Sequence, residues 1–365
     1  TLAPKEIFKT PELAITYSDE GLSGASRNFH RWGRNYKLAH GNTLRKILLN
    51  SWEGVYFDIN EPGMDQMMAD IASMGGELFV MDDGWFGEKY PRLTDNCALG
   101  DWKVDRNKLP NGIGWLVERA DAHGISFGIW IEPEMTNSVS ELYDKHPDWV
   151  IKAPERDVVT GRGGTQLVLD LSNPEVQDYI FKIVDDLMTE NPRIDYIKWD
   201  MNRMMNGVSG AYNHDYILGL YEVLDRIFTP RPDVLFESCS SGGNRFDLGI
   251  LCYSPQIWSS DDTDPIERID IQKGLSYLYP LSTMGAHVAA CPHSQTLRKT
   301  PLETRFAVSA YGCLGYELDL SRLSDVERFE VRKQTAWYKK YRSLFQFGRF
   351  DRLKAEKGQE SFEVS

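Results

Sequence analysis

Short apolar runs along this chain repeatedly end in acids set beside indole rings. Met81-Asp82-Asp83-Gly84-Trp85, Trp130-Ile131-Glu132-Pro133-Glu134, Lys198-Trp199-Asp200 and Trp258-Ser259-Ser260-Asp261-Asp262 all have this form. A fifth run, Glu237-Ser238-Cys239-Ser240-Ser241-Gly242-Gly243, ends in a Gly-rich polar turn. Carboxylates among indoles suit carbohydrate chemistry, because a sugar offers hydroxyls to charged acceptors and an apolar C–H face to aromatic rings. Cleaving a glycosidic bond takes two carboxyl groups at the anomeric carbon, one attacking or polarising and one donating a proton to the leaving oxygen. The competing chemistry is divalent-metal binding. Against it, the seven histidines are scattered with no paired-ligand spacing. Lys198, two residues from Asp200, also disfavours a cation there and keeps Asp200 ionised for attack. A lone Asp at a strand end is most often a helix cap, and that reading stands for Asp170, Asp262 and Asp264.

These groups converge only if the runs are strands of one sheet, read from the same end. In the segment 194–203, alternation puts Ile194, Tyr196, Lys198 and Asp200 on one face and Ile197 and Trp199 on the other. An apolar outer face suits a helix layer, and a Lys–Asp pair inside suits the mouth of a parallel barrel. Eight such runs are predicted as strands, at 52–58, 77–83, 125–132, 166–171, 194–200, 234–239, 256–261 and 283–290. Amphipathic segments at 63–74, 112–123, 174–188, 212–228 and 265–279 separate several of them. Strand–helix alternation over about 250 residues predicts an α/β fold, a (β/α)8 TIM barrel. An open doubly wound sheet is disfavoured, since neither GxGxxG nor a P-loop motif occurs. The domain reading is an N-terminal arm at 1–45, the barrel at 46–345, and the start of a truncated C-terminal β segment at 346–365. Within the arm no strong period is visible, and a helix pair is expected at 300–311 and 324–341.

Composition narrows the partners. A formal net charge of −13 over 365 residues argues against nucleic acid and anionic membrane. No apolar run approaches a membrane span, and no signal peptide opens this numbering. The five cysteines lack a CxxC pair and read as reduced thiols, which points to a cytoplasmic chain without a disulfide frame or zinc site. No cofactor is called for.

Taken together, Met81–Trp85, 198–203, 239–247 and 255–264 resemble glycoside hydrolase family 36, the microbial α-galactosidases and some α-N-acetylgalactosaminidases. The resemblance runs from near Phe8 to Phe350, with the four motifs in family order. It implies a retaining mechanism with Asp200 as nucleophile and Asp261 as acid/base. Asp262 is the adjacent rival, and Asp261 is preferred because the family's second acidic position can be Asn. By the same resemblance Asp82 and Asp83 receive the galactose 4- and 6-hydroxyls. Lys198 and Arg162 are sugar-binding cations, Trp52 and Trp130 are pocket walls, and Asn202 lies in the nucleophile motif. Cys239 and Gly242 match the turn facing the 2-substituent. Ser241 and Asn244 depart from the family's more Gly-rich turn, so galactose and N-acetylgalactosamine both stay open. Transglycosylation is a further alternative. A barrel that only binds sugar would not need both Asp200 and Asp261. Family resemblance also implies flanking β domains, a small oligosaccharide substrate, and a homo-oligomer, often a tetramer, in the full-length form.

Overall fold

The computed structural model describes residues 3–353 and 361–365, apart from residues 204, 206, 207 and 209. Eight parallel strands close into a barrel: β1 (Leu48–Asn50), β2 (Leu78–Met81), β3 (Ser126–Ile131), β4 (Ile194–Trp199), β5 (Leu235–Ser238), β6 (Gln256–Trp258), β7 (Met284–Ala289) and β8 (Cys313–Glu317). Each strand pairs with its neighbours in sequence, and β8 closes on β1 through Leu48↔Gly315. The predicted barrel is therefore present, but its membership differs from expectation at three places.

Residues 52–58 are not the first strand. The strand is Leu48–Asn50, and Trp52–Val55 is one helical turn following it. Residues 166–171 are not a barrel strand either; Gln166–Val168 pairs antiparallel with Met135–Asn137 in a separate hairpin within the β3–β4 crossover. The run expected eighth is the seventh strand, and β8 lies in the stretch between the two expected terminal helices. A hairpin strand and a barrel strand carry the same local alternation, so pattern alone does not assign the partner.

Helices Glu61–Ser73, Gly112–Ala122, Pro174–Glu190, Gly210–Phe228, Pro265–Leu275, Leu302–Ser309 and Asp325–Phe347 wrap the barrel. Their starts follow from capping chemistry. Asn60, Asn173 and Asp264 accept backbone N–H groups and each precedes or nearly precedes a Pro in the first turn, where a missing N–H costs nothing. Ser324 and Glu327 form a reciprocal capping box. The β5–β6 crossover carries only the 3-10 turn Ile250–Cys252. In the arm, Gly21–Tyr36 is a helix. Its buried face is Gly24, Ser26, His30 and Gly33, so small and polar residues replace the apolar stripe that would have announced it. His30 Nε2 meets the Ser276 carbonyl at 2.8 Å and Ser26 donates to the Tyr277 carbonyl at 2.9 Å, which seats the helix on the end of Pro265–Leu275. Phe350–Arg352 and Phe362–Val364 form a short antiparallel ladder, in the segment where a β element is expected.

The barrel interior is filled at its lower level by Leu48, Leu78, Val80 and Tyr196. Higher up, the inward positions turn polar, with Asn50, Lys198, Glu237 and Gln256. Tyr196 and Lys198 do share the inner face, but Ile194 packs in the outer cluster with Ile197 and Trp199. The pairing with β3 jumps from Phe127↔Ile194 to Gly128↔Tyr196, leaving Asp195 as an unpaired bulge residue. A bulge inserts one residue and reverses the alternation before it.

Candidate active site

Five strand ends deliver acids or amides to one mouth. Asp82, just past β2, accepts from Lys198 Nζ at 2.8 Å and from Asn50 Nδ2 at 2.7 Å, both on Oδ2. Its backbone N–H donates to Ser51 Oγ at 2.9 Å. Asp83 is gripped bidentately by Arg92, whose Nε reaches Oδ1 at 3.0 Å and whose Nη2 reaches Oδ2 at 2.7 Å. Burial pushes the Asp83 carboxyl up from its ordinary value, and the Arg92 guanidinium pulls against that rise. Burial likewise opposes the Lys198 charge, but Asp82 and the other acids around it outweigh burial and raise Lys198 well above its usual value.

Asp200 follows β4 and, among the described residues, accepts three N–H groups. Met201 N donates to Oδ1 at 2.8 Å, while Asn202 Nδ2 and Trp130 Nε1 donate to Oδ2 at 2.8 and 3.2 Å. Asn202 is fixed in turn by Ser241 Oγ, which donates to its Oδ1 at 3.1 Å, and by its own N–H donating to Glu132. Behind this loop Glu134, fully buried, accepts from Trp199 Nε1 and Arg245 Nη1 at 2.8 Å and from Tyr216 Oη at 2.6 Å. Asp261 accepts from Trp258 Nε1 at 3.1 Å. Burial, and after it the charge of Asp200, pushes the Asp261 carboxyl up; Lys198, Arg162 and the Trp258 N–H oppose the rise. Two carboxyl groups thus sit in one pocket in different electrostatic surroundings.

Trp52, Asp82, Asp83, Trp130, Arg162, Lys198, Asn202, Asp200 and Asp261 all line this cavity, whose volume is about 120 Å³. Cys239 and Gly242 do not line it. Cys239 is buried behind Lys198, Asp200 and Asp261, and burial pushes its thiol well up. Gly242 lies under Asp261: at its φ of +81°, an added Cβ would stand 2.8 Å from Asp261 N and 2.6 Å from Ser260 Cα. Asp262 is outside the cavity and its Oδ1 accepts from Asp264 N at 3.0 Å. Asp264 caps Pro265–Leu275 as expected, whereas Asp170 is not a cap: it accepts from Ser172 N at 2.9 Å, and Asn173 caps the helix that follows. Sequence reasoning did not assign Glu53, Trp258, Gln295 or Glu317 to the pocket, although all four line it. Glu317 ends β8 as the other acids end their strands, and the same signal would have found it. Glu53 carries no such signal, because it follows β1 on a helical turn where the sequence pattern predicts a strand.

The melibiase family's sequence profile matches residues 7–348. The α-galactosidase AgaA of Geobacillus stearothermophilus is 46% identical over 96% of this chain and 49% of its own length. The α-galactosidase Mel36A of Lactobacillus acidophilus is 45% identical over 97% of this chain and 49% of its own length. A substituted GH36 AgaA crystallised with raffinose superposes with a TM-score of 0.89 at 43% identity, covering 95% of this chain and 49% of that one. The chain spans about half the length of these relatives. With the barrel, the converging acids and the profile over residues 7–348 in agreement, this chain belongs to the melibiase family and, within it, to glycoside hydrolase family 36.

Proposed function

We propose that this chain is the catalytic barrel of a retaining, exo-acting α-galactosidase that removes terminal α-D-galactosyl residues from melibiose- and raffinose-type oligosaccharides. The observation that carries the reading is that Asp200 and Asp261 line one pocket while their surroundings differ. Among the described residues Asp200 accepts hydrogen bonds from N–H donors, whereas burial and the Asp200 charge push Asp261 toward its protonated form. That split matches a nucleophile and a proton donor.

Asp200 attacks the anomeric carbon as its bond to the leaving oxygen breaks, and Asp261 gives its proton to that oxygen. Oδ1, with one donor against two on Oδ2, has the freer lone pairs for attack. Water then gives a proton back to Asp261 and its oxygen to the anomeric carbon as the bond to Asp200 breaks, freeing the Asp200 carboxylate and releasing galactose with retained configuration. Asp82 and Asp83 receive the axial 4-hydroxyl and the 6-hydroxyl, which lie close together in galactose. An equatorial 4-hydroxyl would leave a buried acceptor unpaired, a costly mismatch.

Hydrolysis of nitrophenyl α-galactoside, with the product anomer followed by proton NMR, tests the reading. α-Galactose should appear first, and Asp200→Ala should be inactive until azide is added and then yield β-galactosyl azide. An inverted first product, or near-normal activity of Asp200→Ala, would defeat it. Comparison with nitrophenyl α-N-acetylgalactosaminide tests the 2-position, and product analysis at high substrate tests transfer against hydrolysis. A homotetrameric full-length protein located in the cytoplasm completes the proposal, the latter resting on five thiols free of disulfides.

A further inference from the structure

Glu53 lines the sugar pocket but has no part in the chemistry above. Its Oε1 and Oε2 are in different situations. Oε1 accepts from Thr263 Oγ1 at 2.8 Å. Oε2 is buried with no hydrogen-bond partner among the described residues. The direction of the chain behind Oε1 follows from His293. Backbone N–H groups of Thr296 and Gln295 donate to its Nδ1 at 3.2 and 3.4 Å, so that nitrogen carries a lone pair. The ring proton is therefore on Nε2, which stands 2.8 Å from Thr263 Oγ1 and donates to it. Thr263 has its own proton left for Glu53, and Oε1 is held as an acceptor. If Glu53 is neutral, its proton has one place to be, the orphaned Oε2.

The helical turn that carries Glu53 packs directly on the end of β8. A Cβ built on Gly54 would stand 3.3 Å from the Leu318 carbonyl, next to Glu317. Glu317 is buried, lines the same pocket and meets His287 Nδ1 at 2.8 Å. The other charged groups facing Glu53 are Lys198 from β4 and Arg268 from Pro265–Leu275. Lys198 is already committed to Asp82, and Arg268 donates to the backbone carbonyls of Ser260, Asp262 and Gly285.

Resting on the galactosidase reading, we propose that Glu53 is a positioning residue that works as a neutral carboxylic acid, with its proton on Oε2, so that Glu53 and Glu317 together place one negative charge under the sugar. A second charge there would compete with Asp82 for the Lys198 ammonium and loosen the group that grips the galactose hydroxyls. In agreement, burial and then Glu317 push Glu53 up to about 8, against Thr263, Arg268 and Lys198.

The test is the Kd of galactose measured by calorimetry from pH 6 to 10 in wild type and Glu53→Gln. Gln keeps an acceptor for Thr263 and puts an N–H where the proton is. Wild type should weaken about tenfold as the proton is lost, by up to tenfold per pH unit, while Glu53→Gln stays within about threefold of the pH 7 wild-type value throughout. A 100-fold loss in Glu53→Gln at pH 7, or an alkaline weakening that survives the substitution, would overturn the proposal. Infrared difference spectra give a readout independent of galactose and of turnover. Wild type minus Glu53→Gln should show a protonated-carboxyl C=O band at pH 7 that vanishes by pH 10, and its absence at pH 7 would overturn the proposal. If galactose fails to bind while that band is present, the substrate reading fails and the protonation of Glu53 stands.

Discussion

Lys198 and Asp82, 116 residues apart, meet at 2.8 Å with side chains only 7% and 4% exposed. The pair ties the ends of β4 and β2 across the barrel mouth, so one contact sets both the Asp82 carboxylate and the entry to the Asp200 loop. Breaking a buried pair leaves an uncompensated charge. Lys198→Met should therefore cost about 3–5 kcal/mol of stability in chemical denaturation. Combining it with Asp82→Asn should recover part of that loss, and additive losses would contradict the buried-pair account.

As the proposed proton donor, Asp261 acts only while it holds a proton. Its carboxyl is raised, so kcat/KM should decline as pH climbs through that raised value, and the decline should be absent in Asp261→Asn. Asp261→Asn should also lose far more activity on raffinose, whose leaving group needs the proton, than on nitrophenyl galactoside. Equal losses on both substrates would reassign the proton donor.

Gly242→Ala strains a left-handed backbone position and drives a methyl into Ser260 and Asp261, at 2.6 and 2.8 Å. The expected result is at least a tenfold fall in kcat with a stability loss of about 1–3 kcal/mol. Unchanged kcat would mean that the turn moves without carrying Asp261.

Glu134 anchors the Asp200 loop from behind, and Arg245, in a salt bridge at 2.8 Å, is its charge partner. Arg245→Met should destabilise the fold by about 3–5 kcal/mol. It should lower kcat more than it raises KM, because Trp199 and Met201 flank Asp200. Steady-state kinetics and urea denaturation on the same preparation check both parts.

Four buried groups shape stability against pH. Burial lowers His287 to about 3 and His30 to about 4, so the unfolded chain binds more protons between those values and 6.5 and stability falls as pH drops through that range. Burial raises the neighbouring Glu53 and Glu317 from 4.5, and the pair, sharing one charge at neutral pH, holds one extra proton in the folded chain, so stability falls as pH rises toward about 8. The two slopes oppose each other between about 4.5 and 6.5. Calorimetric Tm should be highest there and fall on both sides; a Tm that climbs from pH 6.5 to 8.5 would contradict the assignment.

Much of the site was legible before any coordinates. Nine of the eleven expected site residues line one cavity. Asp82, Asp83, Lys198, Asp200 and Asp261 were legible because they stand at the ends of runs whose apolar body and polar tip are written locally. Arg162, in a 3-10 turn of the crossover, and Trp52, on a helical turn, came from the family resemblance. What was not legible is equally specific. Cys239 and Gly242 keep the expected turn but act from behind it, since whether a side chain reaches a cavity depends on how closely Ser260 and Asp261 press on that turn. Glu53 and Glu317 were missed for a common reason, the misplacement of the first and last strands of the barrel.

Residue order alone determined the alternation of strands and helices, the caps that start Pro174–Glu190 and Pro265–Leu275, and the inward parity of Tyr196, Lys198 and Asp200, because these depend on neighbours a few positions away. Tertiary structure alone decided that Cys313–Glu317 closes the barrel while Gln166–Val168 forms a hairpin, that a bulge at Asp195 turns Ile194 outward, and that Glu53 comes to rest beside Glu317. Those outcomes depend on which distant strand supplies the hydrogen-bonding edge, and a closed sheet settles that for all its strands at once.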